Sequence, residues 1–228
     1  MMKIAENIQA VQQTIAECAV RFNRDVKTIH LLAVSKGQAA DKIRAAYQCG
    51  LRMFGENYVQ EAIDKQSELK DLDLVWVYQG NLQSNKTRKI AENFAWVISV
   101  SSFNIAQRLS AHRPAHLPPL NVCIQVNVSS EASKSGLHFD EVRALCDAIL
   151  LLPNLKLRGL MAIPAMKDNF AEQVQQYQGI SAFFNQLKLQ GYNLDTLSLG
   201  MSADVAAAIA NNSTMLRVGS SIFGARKK

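Results

Sequence analysis

Two kinds of residue in this chain could do chemistry together. The stretch LLAVSKG, residues 31–37, ends an aliphatic run on Ser35, Lys36 and Gly37. Near the C-terminus, LGMS (199–202) and VGSS (218–221) each pair a glycine with a serine hydroxyl, and Arg217 stands inside the apolar TMLRVG. A neutral lysine amine attacks an aldehyde. Glycine–serine turns that open a helix offer N–H groups to an anion such as phosphate. The plain alternatives are a lysine reaching water, ordinary helix capping, and an arginine reaching outward to helix carboxylates. The elements that carry these residues decide which applies.

Two hydrophobic periods alternate along the chain. Ile4, Ile8, Val11 and Ile15 recur at helical spacing. Eight mostly apolar runs follow as strands: TIHLLAVSK, LRMFG, LVWVYQG, AWVISV, PPLNVCIQVNV, LKLRGLMAI, TLSLG and TMLRVG. Helical sequence separates them. Ile43, Ala46 and Tyr47 form one such stretch, stopped by Gly50; Val59, Ala62, Ile63 and Gln66 form the next face. Residues 138–152 carry Val142, Leu145, Cys146 and Ile149 before Pro153, and a longer helix carries Val174, Tyr177, Ser181 and Phe184 before Gly191. MSADVAAAIANN reads as a helix with Ser202 as N-cap and Asp204 in its first turn. Eight such units predict a single (β/α)8 barrel over residues 1–228 with an extra N-terminal helix. An open doubly wound sheet is the competing topology, and no G-x-G-x-x-G follows an early strand.

In such a barrel the active site lies at the C-terminal ends of the strands, often with a phosphate held after strands seven and eight. Strand ends therefore supply the candidates: Lys36; Glu56, Asn57 and Tyr58; Gln79; Gln125, Asn127 and Ser129; Met161 and Pro164; Met201 and Ser202; Arg217, Gly219, Ser220 and Ser221. Side chains alternate across a strand, so Met215, Arg217 and Gly219 share one face and Leu32, Val34 and Lys36 another. Strands eight and one are neighbours in a closed barrel. If both faces point inward, Arg217 and Lys36 reach one mouth. Pyridoxal 5′-phosphate (PLP) needs an amine for its aldehyde, an anion cradle for its phosphate and a partner for its ring nitrogen. Lysine, glycine–serine loops and arginine together point to it.

Composition narrows the partners. The balance of 25 basic to 19 acidic residues gives a net charge of +6. The excess is scattered, with short clusters at Lys86, Arg88, Lys89 and at Arg226, Lys227, Lys228, which does not make the long basic stripe of a nucleic-acid face. None of the four cysteines, Cys18, Cys49, Cys123 and Cys146, forms a C-x-x-C pair, so neither a zinc site nor a redox pair is expected. Cysteines on apolar stripes fit a reducing compartment. No apolar run is long enough for a membrane span or signal core. The expectation is a soluble, cytoplasmic protein.

The motifs AVSK, FGENYVQEA, GNLQSNK, SKSGL, RGLMAIP, LSLGMSADVAAAI and STMLRVGSSIFGAR, in this order and over nearly the whole chain, resemble the pyridoxal phosphate homeostasis protein family. That family has the alanine-racemase-like barrel (fold type III) without the racemase's second domain. The resemblance implies a Schiff base on Lys36, phosphate contacts from Ser202, Gly219 and Ser220 with Met201 beside them, Arg217 facing the pyridine nitrogen and Asn57 near the ring. It implies a role in vitamin B6 homeostasis, buffering or delivering PLP, with no established turnover. Apo PLP-dependent enzymes would be the recipients, and a monomer is expected. The chain departs from the family's pattern at Gly37, where a threonine commonly follows the lysine, at Val77, commonly a histidine, at Gln79 and at NNST (211–214).

Two other functions use the same parts. A PLP-dependent amino-acid racemase or decarboxylase needs a second acid–base group, for which Tyr58 and Tyr78 are the candidates, although each also reads as a packing residue at a strand end. A lysine-dependent aldolase would use Arg217 and the glycine–serine loops for a sugar phosphate.

Overall fold

The computed structural model describes residues 2–128 and 135–224. Ser129, the first two residues of the SKSGL motif (Ser133 and Lys134) and the Arg226–Lys228 cluster lie outside the described residues. The eight apolar runs are strands: β1 (His30–Val34), β2 (Met53–Glu56), β3 (Val75–Tyr78), β4 (Trp96–Val100), β5 (Leu120–Gln125), β6 (Leu155–Met161), β7 (Thr196–Ser198) and β8 (Met215–Val218). Every pairing is parallel, and β8 closes on β1 with Leu32 opposite Arg217. The result is the (β/α)8 barrel that the alternation predicts.

Helices α1 (Met2–Arg21), α2 (Ala40–Gln48), α3 (Val59–Glu68), α4 (Thr87–Asn93), α5 (Phe103–His112), α6 (Phe139–Leu150), α7 (Phe170–Leu189), α8 (Val205–Ala210) and α9 (Ser220–Phe223) surround the sheet. The extra helix α1 precedes β1 and packs on α2, α8 and α9, burying Ile8, Val11 and Ile15. One of its polar residues, Asn7, donates from Nδ2 to the Ile222 carbonyl at 2.9 Å, so α1 braces α9. Helix α6 is shorter than the pattern 138–152. It starts after His138, whose backbone N–H donates to Glu141 Oε2 at 2.9 Å.

The core has two parts. Between sheet and helices lies a large apolar layer that includes Cys18 and Cys146. Inside the barrel, Leu32, Val77, Ile98, Cys123, Met161 and Met215 form a separate plug. Val77 is therefore a fully buried floor residue. All four cysteines are free thiols. Among the described residues, no helix is long and apolar enough to cross a membrane and no cluster could hold a metal ion.

Candidate functional site

Above the plug, the C-terminal ends of the strands open into a cavity of about 320 Å³. Leu32 and Met215 belong to the plug, so strand parity aims Val34, Lys36 and Arg217 upward and inward. The cavity is lined by Lys36, Asn57, Met201, Ser202, Arg217, Gly219 and Ser220, the seven residues that the family resemblance assigns to the cofactor. Gln79 also borders it, with Gln38 and Ile163, which the sequence did not mark. Gln125 and Asn127 of the β5 end do not border it.

Arg217 is 3 % exposed and rigidly held. Nη1 donates to both the carbonyl and the hydroxyl of Ser198 at 2.7 Å, and Nη2 donates to the Ala162 carbonyl at 2.9 Å. Burial lowers its pKa from the usual arginine value, against Tyr177 and Asp204, which raise it. Its acceptors here are uncharged, so a guanidinium sits in the cavity wall with fixed orientation.

The loops after β7 and β8 also line the cavity. Gly200 has φ +89°, and a Cβ there would lie 2.5 Å from the Ala208 methyl, so only glycine makes this turn. The Asp204 carboxylate then accepts the Met201 N–H at 2.6 Å and the Tyr177 hydroxyl at 2.7 Å. Burial, with Asp204 beside it, pushes the Tyr177 hydroxyl well above its normal range and keeps it a donor. This turn overturns one expectation. Ser202 does not cap α8: the helix begins at Val205 after Asp204. The Ser202 hydroxyl instead turns to the other loop, accepting from Ser220 Oγ at 3.1 Å and from the Ser221 N–H at 3.4 Å. The two glycine–serine turns thus meet hydroxyl to hydroxyl at the cavity edge.

On the β2 side, Asn57 contributes a buried Oδ1 that has no hydrogen-bond partner among the described residues. A buried acceptor in that condition is costly unless something donates to it. Tyr58 and Tyr78 border a neighbouring cavity with Lys86 and Lys89. Tyr58 is 62 % exposed, which contradicts a packing role. Tyr78 is buried, its hydroxyl donating to the Asn81 carbonyl at 2.9 Å, and desolvation pushes its pKa up to about 12.

Comparison with known proteins gives a consistent family. The family model for the alanine racemase N-terminal domain matches residues 2–227. The pyridoxal phosphate homeostasis protein of Pseudomonas aeruginosa is 54% identical over 226 residues, covering 99% of this chain and 97% of that protein. The protein of the same name from Escherichia coli is 48% identical over 229 residues, covering 99% and 98%. Among solved structures, PipY of Synechococcus elongatus with PLP bound superposes with a TM-score of 0.85 at 37% identity, covering 97% of this chain and 100% of that one. Alanine racemase of Corynebacterium glutamicum shares the fold at a TM-score of 0.72 and 16% identity; this chain spans 60% of it.

Proposed function

Because the chain belongs to the pyridoxal phosphate homeostasis protein family, we propose that it binds PLP through a Schiff base on Lys36 and takes part in maintaining the cell's supply of that cofactor. The observation that carries this reading is the convergence of Lys36, Arg217 and the paired hydroxyls of Ser202 and Ser220 on one cavity. The residues fit the cofactor. A cavity of about 320 Å³ suits a small molecule. The Ser202 and Ser220 hydroxyls and the turns around Met201 and Gly219 suit a phosphate. Asn57 Oδ1 is a buried acceptor in need of a donor.

When bound, PLP supplies an aldehyde and a ring that can accept electron density. Lys36 would hold the aldehyde through its amine, and the Ser202 and Ser220 hydroxyls would hold the phosphate. A linkage of this kind would be reversible toward water or toward another amine that takes the aldehyde over, which is what a cofactor buffer needs. Apo PLP-dependent enzymes are the recipients such a buffer would serve. The protein acts as a monomer in the cytoplasm, a setting its free cysteines suit.

Arg217 argues for storage over turnover. An arginine stays protonated and only donates hydrogen bonds. With the ring nitrogen toward it, this guanidinium could only donate, which would disfavour a protonated nitrogen and weaken the electron sink that α-carbon chemistry uses. Neither candidate tyrosine borders the Lys36 cavity to serve as a second acid–base group. The test is incubation of the PLP-loaded protein with single amino acids in deuterated water. We expect no exchange of the α-hydrogen at enzyme-like rates, roughly 1 s⁻¹ or faster. Rapid exchange that depends on Lys36 would restore the racemase reading. A purified, PLP-treated protein without a visible absorption band would favour an aldolase.

A further inference from the structure

The backbone on either side of Lys36 is held from outside the barrel. Lys36 points into the cavity, and its neighbours turn toward α3. Lys65 of α3 donates from Nζ to the Ser35 carbonyl at 2.8 Å. The same ammonium donates to Glu56 Oε1 at 2.7 Å and to Glu61 Oε1 at 2.6 Å. Glu61 Oε1 in turn accepts the Gly37 N–H at 2.6 Å, and Glu56 Oε1 accepts the Ser35 hydroxyl at 2.6 Å. The Ser35 carbonyl belongs to the peptide unit before Lys36, and the Gly37 N–H to the unit after it. Fixing both units fixes the direction in which the Lys36 side chain leaves the backbone.

The energetics point the same way. The Lys65 and Glu56 side chains are 7% and 0% exposed. Charges at such depth are seldom retained for stability, because desolvation offsets their attraction and apolar residues of similar size pack as well. Burial drives the Glu56 carboxyl up, while Lys65 and Ser35 pull it down without cancelling the rise. A triad that costs this much at the foot of one reactive lysine is better explained by geometry. Gly37 completes it. Its φ of +70° sends the N–H toward Glu61, a conformation glycine adopts freely and a threonine would resist.

We infer that Glu56, Glu61 and Lys65 form a positioning clamp that aims the Lys36 amine, so that α3 sets how readily the lysine links to PLP. The inference rests on Lys36 being the linking residue. Displacing a reacting group by a fraction of an ångström has large effects on bond formation. Breaking the clamp at Glu61, whose side chain is 30% exposed, should leave the fold intact.

The test compares Glu61→Ala, Glu61→Gln and Lys65→Met with the parent protein. Three quantities are read: total PLP bound, the fraction linked as judged by the visible band and by borohydride trapping, and the thermal midpoint of the PLP-free protein. Glu61→Ala should lower the linked-to-unlinked ratio about tenfold or more, with non-covalent PLP still bound and the midpoint little changed. Glu61→Gln keeps an oxygen for the Gly37 N–H and should recover most of the ratio. Lys65→Met should lose linkage at least as severely if it folds. A parental ratio in Glu61→Ala, or no recovery in Glu61→Gln, overturns the clamp while leaving Lys36 as the linking residue. Borohydride trapping of the parent protein on a residue other than Lys36 overturns both readings at once.

Discussion

The floor and the mouth of the barrel are built from the same strands and follow different rules. On the floor, Leu32 and Met215 pack with Val77, Ile98, Cys123 and Met161, each essentially inaccessible. Continuing upward, the chain reaches Val34 on β1 and Lys36 just past it, and Arg217 on β8 and Gly219 just past it. Floor contacts are non-directional and depend on volume. Mouth contacts are directional: Arg217 has three fixed acceptors, and the peptide units around Lys36 are held by two charged groups, Lys65 and Glu61. Stability and binding are therefore separable along one strand, which is why this architecture can change its chemistry without changing its core.

That separation can be broken experimentally. Met215→Ala opens a void in the floor and should cost about 2–5 kcal/mol in denaturant unfolding. The amount of PLP bound per folded molecule should stay at the parent level; a proportionate loss of binding would show that floor and mouth are not independent. Ser202→Ala acts at the mouth and removes one hydroxyl donor to an anion, worth roughly 1.5–3 kcal/mol in PLP affinity. Affinity for unphosphorylated pyridoxal should hardly move. Equal losses for both ligands would make Ser202 a support for the loop and not a phosphate contact.

The smallest effect belongs to the rim below the floor. Arg158 grips Asp195 through Nε at 2.9 and 3.0 Å and through Nη2 at 2.7 Å, over the Trp96 ring. Partial burial pushes the Asp195 carboxyl up, but the bonds from Arg158 and Thr196 outweigh it and hold the pKa below its normal value. A depressed pKa gives stability that is present above the unfolded value, about 3.9, and is lost as pH falls through the folded one. Asp195→Asn should therefore cost under about 1 kcal/mol near neutrality, because the pair is exposed. The gap between variant and parent should close as pH drops below about 4. A gap that persists at pH 2 would assign the loss to packing.

The parts of the molecule that depend on backbone geometry alone were legible in the sequence. Apolar runs between helical stripes give the strands, and alternation along β1 and β8 puts Lys36 and Arg217 on the cavity side. The turn after β7 was not legible. Ser202 looks like an N-cap, but the Asp204 carboxylate takes the Met201 N–H and delays the helix to Val205. Such local side-chain bonds compete with helix starts and carry no periodicity. The clamp is not legible from residue type, because lysine and glutamate are normally solvated. Its cue was positional: Lys65 falls on the buried face of α3 with Val59 and Ala62. Asn57 was marked only by its strand end and the family resemblance, and its orphaned Oδ1 is visible only in three dimensions.

The central claim is that Lys36 holds the cofactor. Borohydride reduction of the PLP-loaded protein, followed by digestion and mass mapping of the modified peptide, tests it most directly. The account predicts a single reduced phosphopyridoxyl adduct on Lys36, and none at the other lysines when Lys36→Ala is treated in parallel with its fold intact. An adduct on Lys42, Lys65, Lys86 or Lys89 with Lys36 unmodified would contradict it.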